Sequence, residues 1–351
     1  MTKKKWLVLV ISAAVVFLLI ASLLTYVIDP FFQFRSRDGQ YMIHQTYCAP
    51  GLIKTYDYDT ILIGSSMSQN FDMDLFRSEL DCNPLKIGIG GMSEDDQVEY
   101  IQLANRIGKA DTYYLCIDIS GYAAHSSPKT IKYLMKDDPL SRIQYALSYE
   151  SWFRFLPVDL AFTAATKTGH PLPASYENRI KIDRLGYWGD QYEYGEDIVL
   201  EGRETGAFRV SDIDTEDLYN RMKAGIDDYL SKLDLTNANY IFYFPPYSSL
   251  FWADAQSLGY FDACLDAAEY FVERAGEYGA VVFDFQAEDF TKDLNIYRDT
   301  THYIPEINDL MTRCFASGEN IVTASNYALH KEKIIQNTEE FKNDYSFLFA
   351  P

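Results

Sequence analysis

Tyr58-Asp-Thr-Ile-Leu-Ile-Gly-Ser-Ser66 is a short apolar run that ends in a glycine and drops straight into two serines. Within it, Asp59 to Ile63 has the length and composition of a buried β-strand, and Gly64 permits a sharp turn at its end. Four further segments share the pattern: Pro84 to Ile89, Thr112 to Ile117, Ala238 to Phe244 and Ala280 to Phe285. Each is nearly continuously apolar, as in a parallel sheet buried on both faces. Between them, helical periodicity runs over Met73 to Leu80, Glu94 to Ile107, Glu216 to Leu233 and Phe261 to Tyr278. Pro305 opens a last helix. Such alternation predicts a doubly wound α/β sheet, in which reactive groups gather at the carboxyl ends of the strands. Gly64-Ser65-Ser66, Gly88 to Ser93, Asp118 to Gly121 and Phe244 to Ser248 all fall at such ends.

The N-terminus carries a different signal. After three lysines, Trp6 to Ile28 is apolar for about 23 residues, enough for a helix to cross a hydrocarbon layer of about 30 Å. Lys3, Lys4 and Lys5 predict a cytoplasmic tail and an extracytoplasmic remainder. No Ala-x-Ala site precedes Asp29-Pro30, so an uncleaved single-pass anchor is expected over 1–28. Residues 29–351 are read as one extracytoplasmic body, since no stretch is rich enough in Gly, Ser or Pro to be a linker.

A formal charge of −20, reached even with those three lysines counted, disfavours nucleic acid as a partner. It also sets a problem for any polyanionic substrate, which would need a basic patch or divalent cations. Five dispersed cysteines, an odd number, fit neither a disulfide framework nor a zinc site; Cys116 reads as a small buried residue. No clustered histidine pattern calls for a metal, and no cofactor motif is present; Gly88-x-Gly90-Gly91 is a weak dinucleotide fingerprint because Ser93 stands where a third glycine belongs.

The segment between the third and fourth strands, about 115 residues, exceeds what a crossover needs. It predicts an insertion at about 122–210, with a helical stretch from Pro139 to Thr166 and an aromatic tract, Tyr187 to Tyr194. Its expected use is a cap over the rim of a site, with rings available to stack on sugars. Trp188 and Tyr247 are the candidate substrate-binding residues.

Asp299-Thr-Thr-His302 supplies a carboxylate and an imidazole three residues apart. Joined to Ser66, it completes an acid–base–nucleophile set. At a strand-to-helix turn the serine is expected to face a helix N-terminus, whose partial positive charge favours a developing oxyanion. Gly64-Ser65-Ser66, Gly88-Ile-Gly-Gly91-Met-Ser93 and Asp299-Thr-Thr-His302 together resemble, in order and spacing, three blocks of the SGNH/GDSL hydrolase superfamily. With the anchor, the chain looks nearest to a membrane-anchored Gram-positive branch associated with surface polysaccharides, and is distantly similar to the protein of teichoic-acid D-alanylation. The resemblance implies that Ser66 is the nucleophile, His302 the general base and Asp299 its orienting carboxylate. It also implies that the N–H groups of Ser66 and Gly91 face the oxyanion.

Two departures stand out. Ser65 replaces the Asp usual between the glycine and the serine, and the third block lacks its Asn, since strand three ends Asp118-Ile-Ser-Gly121. Asn70 and Ser120 are the candidate substitutes for the missing donor.

The expected fold is therefore a flavodoxin-like three-layer α/β sandwich with a parallel five-stranded sheet, an N-terminal transmembrane helix and an insertion after strand three. The expected activity is acyl transfer or ester hydrolysis on a cell-envelope polysaccharide or teichoic acid, without cofactor, with a membrane-bound acyl-transferring partner. The alternative is a non-catalytic glycan-binding or assembly protein.

Overall fold

The computed structural model describes residues 2–36, 44–123, 128–170, 188–205 and 214–349. Two compact units emerge: 1–57 with 130–185, and 58–129 with 186–351. The division differs from the expected single body after residue 28. Most of the insertion, 130–185, belongs with the N-terminal region, and only its first and last parts go with the sheet.

The larger unit is built on a mixed, mostly parallel sheet of six strands, in the order β2-β1-β3-β4-β5-β6. These are β1 (Thr60–Gly64), β2 (Pro84–Gly88), β3 (Thr112–Cys116), β4 (Asn239–Phe244), β5 (Val281–Asp284) and β6 (Ile321–Val322). The first five are parallel, within about a residue of their expected bounds. The sheet is not limited to the five expected strands: β6 joins β5 antiparallel through Val282 opposite Val322. Two residues are too few to carry a periodic signal, which is why the sequence does not show it.

Adjacent residues of β4 reveal how the strand is covered. The Phe242 ring meets Phe271, on the helix Phe261–Glu277, while the Tyr243 ring meets Phe315, on the helix Pro305–Ser317. Successive side chains of a strand point to opposite faces, so both faces of β4 are packed. Phe315 also touches Phe71, Phe76, Tyr114, Phe283 and Phe285, making it the centre of one aromatic cluster.

The strands β1 and β3 are neighbours, with β2 on the far side of β1, so the chain leaves β1 in one direction and returns through β3 in the other. A crevice at the carboxyl ends of the strands is the consequence of such a reversal. After the sheet comes a further helix, Tyr327–Asp344. Its buried Tyr327, Ile334 and Phe341 recur every seven residues.

In the smaller unit, α1 (Lys3–Ile28) is the one helix among the described residues long and apolar enough to cross a membrane. It ends at Asp29, in the left-handed region at φ 52°. The buried Asp29 carboxylate accepts hydrogen bonds from the N–H groups of Gln33, Phe34 and Arg35 at 2.8–2.9 Å, and from the Tyr145 hydroxyl at 2.8 Å. Burial raises its pKa, against those hydrogen bonds, which lower it. Around this junction Phe31 packs on Tyr47, Tyr145 and Phe155. Expected as one helix, 139–166 is instead a helix, Pro139–Ala146, a π-helical turn, Glu150–Phe155, and a second helix, Leu156–Thr168. The chain leaves the helix at Leu147 and Ser148, and Pro157, in the first turn of the last helix, accounts for the change from π-helical to α-helical bonding there, because it brings no N–H.

Candidate active site

Ser66 is the first residue of a single 3-10 turn, Ser66–Ser68, separated from β1 by Ser65, which caps it. The turn is too short to give the oxyanion the helix-dipole assistance expected of a strand-to-helix junction; the next α-helix starts only at Met73. Gly64 is required for space. A Cβ there would lie 2.1 Å from Ser68 Oγ and 2.4 Å from the Cβ of Cys116 on the neighbouring strand.

His302 approaches from the other end of the chain. Ser66 Oγ and His302 Nε2 are 2.7 Å apart, across 236 residues. His302 Nδ1 is 2.7 Å from Asp299 Oδ2. The Asp299-to-His302 segment is not a helical turn. It is a tight loop closed by the antiparallel bridge between Tyr297 and Tyr303, and Asp299 Oδ1 accepts from the backbone N–H of Thr301 at 2.9 Å and of His302 at 2.8 Å. Ser248 fixes the loop from outside, donating through both its N–H and its hydroxyl to the Thr300 carbonyl. Burial acts to raise the pKa of Asp299, yet the hydrogen bonds and charge of His302 and the backbone N–H groups hold it below the ordinary carboxylate value. The carboxylate is therefore held ionised against the imidazole.

An open cleft of about 300 Å³ lies over these groups, lined by Ser65, Ser66, Gly91, Asp118, Ser120, Tyr247 and His302 among others. Gly91 follows β2 in a turn closed by the Met92 N–H donating to Ile89 O at 2.9 Å, with φ at +62°. That backbone suits glycine, and a Cβ would also meet Lys129 Nζ at 2.7 Å. Of the two candidate donors, Ser120 reaches the cleft. Asn70 is not among the cleft-lining residues, and its Oδ1 accepts from the Trp188 N–H at 3.1 Å.

Asp118 is the unusual member. The Tyr247 hydroxyl donates to its Oδ1 at 2.9 Å. Burial raises the Asp118 pKa, while hydrogen bonds from Ser65 and Tyr247 and the nearby His302 oppose the shift. Glu94 lines the same cleft at the start of the helix Glu94–Ile107. Its carboxyl is pushed up to about 7, chiefly by burial and then by the charges of Asp118, Asp95 and Asp96.

Trp188 is half-buried and meets His302 edge-on with centroids 5.4 Å apart. The Arg298 guanidinium lies over the Tyr192 ring at 3.5 Å and 5.6 Å from the Trp188 ring. The described part of the aromatic tract thus borders the histidine. Tyr187 lies outside the described residues. Tyr247 is buried, so its hydroxyl serves Asp118 more directly than it could serve a substrate.

Three residues that hold the backbone of the candidate site escape a reading of the sequence alone. Lys86, buried within β2, donates through Nζ to the carbonyls of Gln69 at 2.6 Å and Phe71 at 2.8 Å, and so holds the chain leaving the serine turn. Asn308 donates to the Met67 carbonyl at 3.1 Å. Lys129 Nζ donates to Gly90 O at 2.7 Å, bringing a cation beside Gly91. A lysine interrupting an otherwise apolar strand is the available signal for the first; the other two have none.

No family model matches the chain, and no curated protein is found similar to it. The site's geometry therefore carries the functional argument.

Proposed function

We propose that this protein is a membrane-anchored, extracytoplasmic serine acyltransferase or esterase of SGNH type. The observation that carries the reading is the continuous hydrogen-bonded chain Ser66–His302–Asp299, with both links at 2.7 Å, opening onto a cleft. The order 2-1-3-4-5 of the parallel strands, which is that of flavodoxin-like doubly wound sheets, adds support.

In the proposed reaction, Ser66 Oγ attacks the acyl carbonyl as His302 Nε2 takes its proton. Asp299, ionised and hydrogen-bonded to Nδ1, stabilises the imidazolium. The N–H groups of Ser66 and Gly91 receive the oxyanion. The acyl–oxygen bond then breaks, the leaving alcohol takes the proton from His302, and an acyl-serine remains. A second alcohol or water, deprotonated by His302, attacks that ester and regenerates Ser66. A membrane-bound partner that delivers the acyl group fits an anchored enzyme without a cofactor.

The acceptor proposed is a cell-envelope polysaccharide, with Trp188 at the rim as a surface for a sugar ring. Asp118 and Glu94 in the cleft weigh against a polyanion such as teichoic acid at the reacting position. One observation favours a second reading, a non-catalytic glycan-binding or assembly protein: Asp118, whose ionised carboxylate cannot donate, stands at the end of β3 where the family pattern has an amide donor.

Intact-mass analysis of the full chain after exposure to a fluorophosphonate, and separately to p-nitrophenyl acetate, distinguishes the two. A single adduct on Ser66, absent in Ser66→Ala and in His302→Ala, is expected. No adduct under conditions that label a control serine esterase would favour the binding protein.

A further inference from the structure

The smaller unit exposes an unusual amount of large apolar surface outside α1. Leu140 is 73% exposed and Ile143 55%, Tyr149 69%, Phe153 64% and Leu160 48%. They belong to Pro139–Ala146, Glu150–Phe155 and Leu156–Thr168, elements that also pack against α1, and to the turn between the first two. Surface of this kind marks a site of interaction with a partner or a lipid layer.

Its position along α1 says which. The only residues of α1 that are buried are Ala21 and Thr25, one turn apart on the face these elements cover. One turn further back, the Phe17 ring meets Trp152 edge-on, with centroids 5.6 Å apart. Phe17 precedes the end of the helix at Ile28 by eleven residues, about 16 Å of rise. The 26 residues of α1 rise about 39 Å, about 9 Å more than a hydrocarbon layer of about 30 Å, so Phe17 lies below the edge of that layer even when the whole excess projects from the Ile28 end. If α1 spans a bilayer, the indole of Trp152 therefore reaches below the headgroup level.

We propose that residues 139–168 lie in the membrane interface beside the anchor, with Ile143, Phe153 and Leu160 in contact with lipid. The inference rests on α1 being a membrane span. The occupant of the exposed face is lipid because the face continues the surface of α1, itself exposed from Trp6 to Ile20.

The segment's chemistry fits an interfacial element and not a second span. Arg142, Glu150, Arg154, Asp159 and Lys167 are too many charges for a span. Arg142 pairs with Asp137 at 2.7 Å, and the Arg154 guanidinium lies 5.1 Å from the Phe155 ring. Polar groups of the turn between the helices are served internally, as a lipid environment demands. Trp152 Nε1 donates to Ala146 O at 2.6 Å, Ser148 Oγ to Ser151 Oγ at 2.7 Å and Ser151 Oγ to Tyr145 O at 3.1 Å.

The test uses the full chain with Cys82→Ser, in vesicles of phosphatidylcholine and phosphatidylglycerol. Nitroxide labels are attached in turn at Ile143→Cys, Phe153→Cys and Leu160→Cys, with Leu19→Cys as a reference on α1 and Glu273→Cys as a reference in the larger unit. The four apolar side chains are exposed, so their substitution leaves packing intact. Power saturation should show oxygen reaching 143, 153 and 160 several-fold better than a water-soluble nickel chelate, as at 19, with the opposite at 273. Nickel access at 143, 153 and 160 with lipid access at 19 would overturn the inference and leave the anchor standing. Exclusion of both reagents from those three positions would assign the face to a protein and also overturn it. Nickel access at 19 as well would remove the anchor itself.

Discussion

The Tyr247 hydroxyl donates to Asp118 Oδ1 at 2.9 Å inside the cleft that holds Ser66 and His302. One carboxylate oxygen is thereby committed, and an amide in its place could keep that bond through its carbonyl while its NH2 supplied the absent donor. Asp118→Asn should therefore raise kcat/KM for p-nitrophenyl acetate by about tenfold or more, since a single oxyanion donor is commonly worth at least that much. Steady-state hydrolysis by the two proteins decides the matter. A loss of activity in the amide variant would mean that the carboxylate itself serves the natural reaction, for instance by orienting a hydroxyl acceptor.

Glu94 makes the cleft sensitive to pH near neutrality. Its folded pKa of about 7 lies above its ordinary value of 4.5, so the folded protein holds this proton more tightly than the unfolded chain does. Stability must then fall as pH rises from about 4.5 to about 7, by at most about 3 kcal/mol. Glu94→Gln should remove that fall, with a urea midpoint above that of the parent at pH 8 and close to it at pH 4.5. Unchanged curvature in the variant would assign the dependence elsewhere.

Lys86 tests whether the path of the chain behind the nucleophile matters. Lys86→Met keeps the length and apolar bulk of the side chain but takes this donor from the buried carbonyls of Gln69 and Phe71, at a cost of about 1–3 kcal/mol. Both the unfolding midpoint and the rate of fluorophosphonate labelling at Ser66 should drop. A lower midpoint with an unchanged labelling rate would limit Lys86 to a structural part. Lys86→Arg, which retains a cation, should recover some of the labelling rate if positioning is its role.

Residues whose partners lie close along the chain, or whose burial imposes a simple pattern, are legible in the sequence. The parallel strands read as apolar runs because both faces are packed, as Phe242 and Tyr243 illustrate. Ser66, Asp299 and His302 are identifiable because each carries its chemistry in its residue type at a strand or loop end. The partition of the insertion is not legible. It depends on contacts such as Tyr145 with Asp29, 116 residues apart, between groups that look ordinary in isolation. Asn70 has the residue type of a donor, but only its bond to the Trp188 N–H, on a segment 118 residues later, shows that its oxygen is already engaged. The helix-dipole expectation at Ser66 fails for a local reason: Ser66–Ser68 closes one 3-10 turn and the chain runs on to Asp72 before an α-helix begins.

A second pH-dependent group lies outside the cleft. His330 Nδ1 is 3.5 Å from Asp284 Oδ2, on the fully buried last residue of β5. The interaction with Asp284 raises the pKa of His330, against burial, which lowers it, and with help from the charge of Glu288. A histidine whose folded pKa exceeds its unfolded value of 6.5 contributes stability that is complete below pH 6.5 and is lost as pH rises through the folded value. This loss starts where that of Glu94 is ending, so the two groups can be separated. His330→Gln should flatten the decline in urea midpoint above pH 6.5 while leaving the decline between pH 4.5 and 7 in place, and Glu94→Gln should do the reverse. If neither variant changes the slope above pH 6.5, the interaction of His330 with Asp284 does not control stability there.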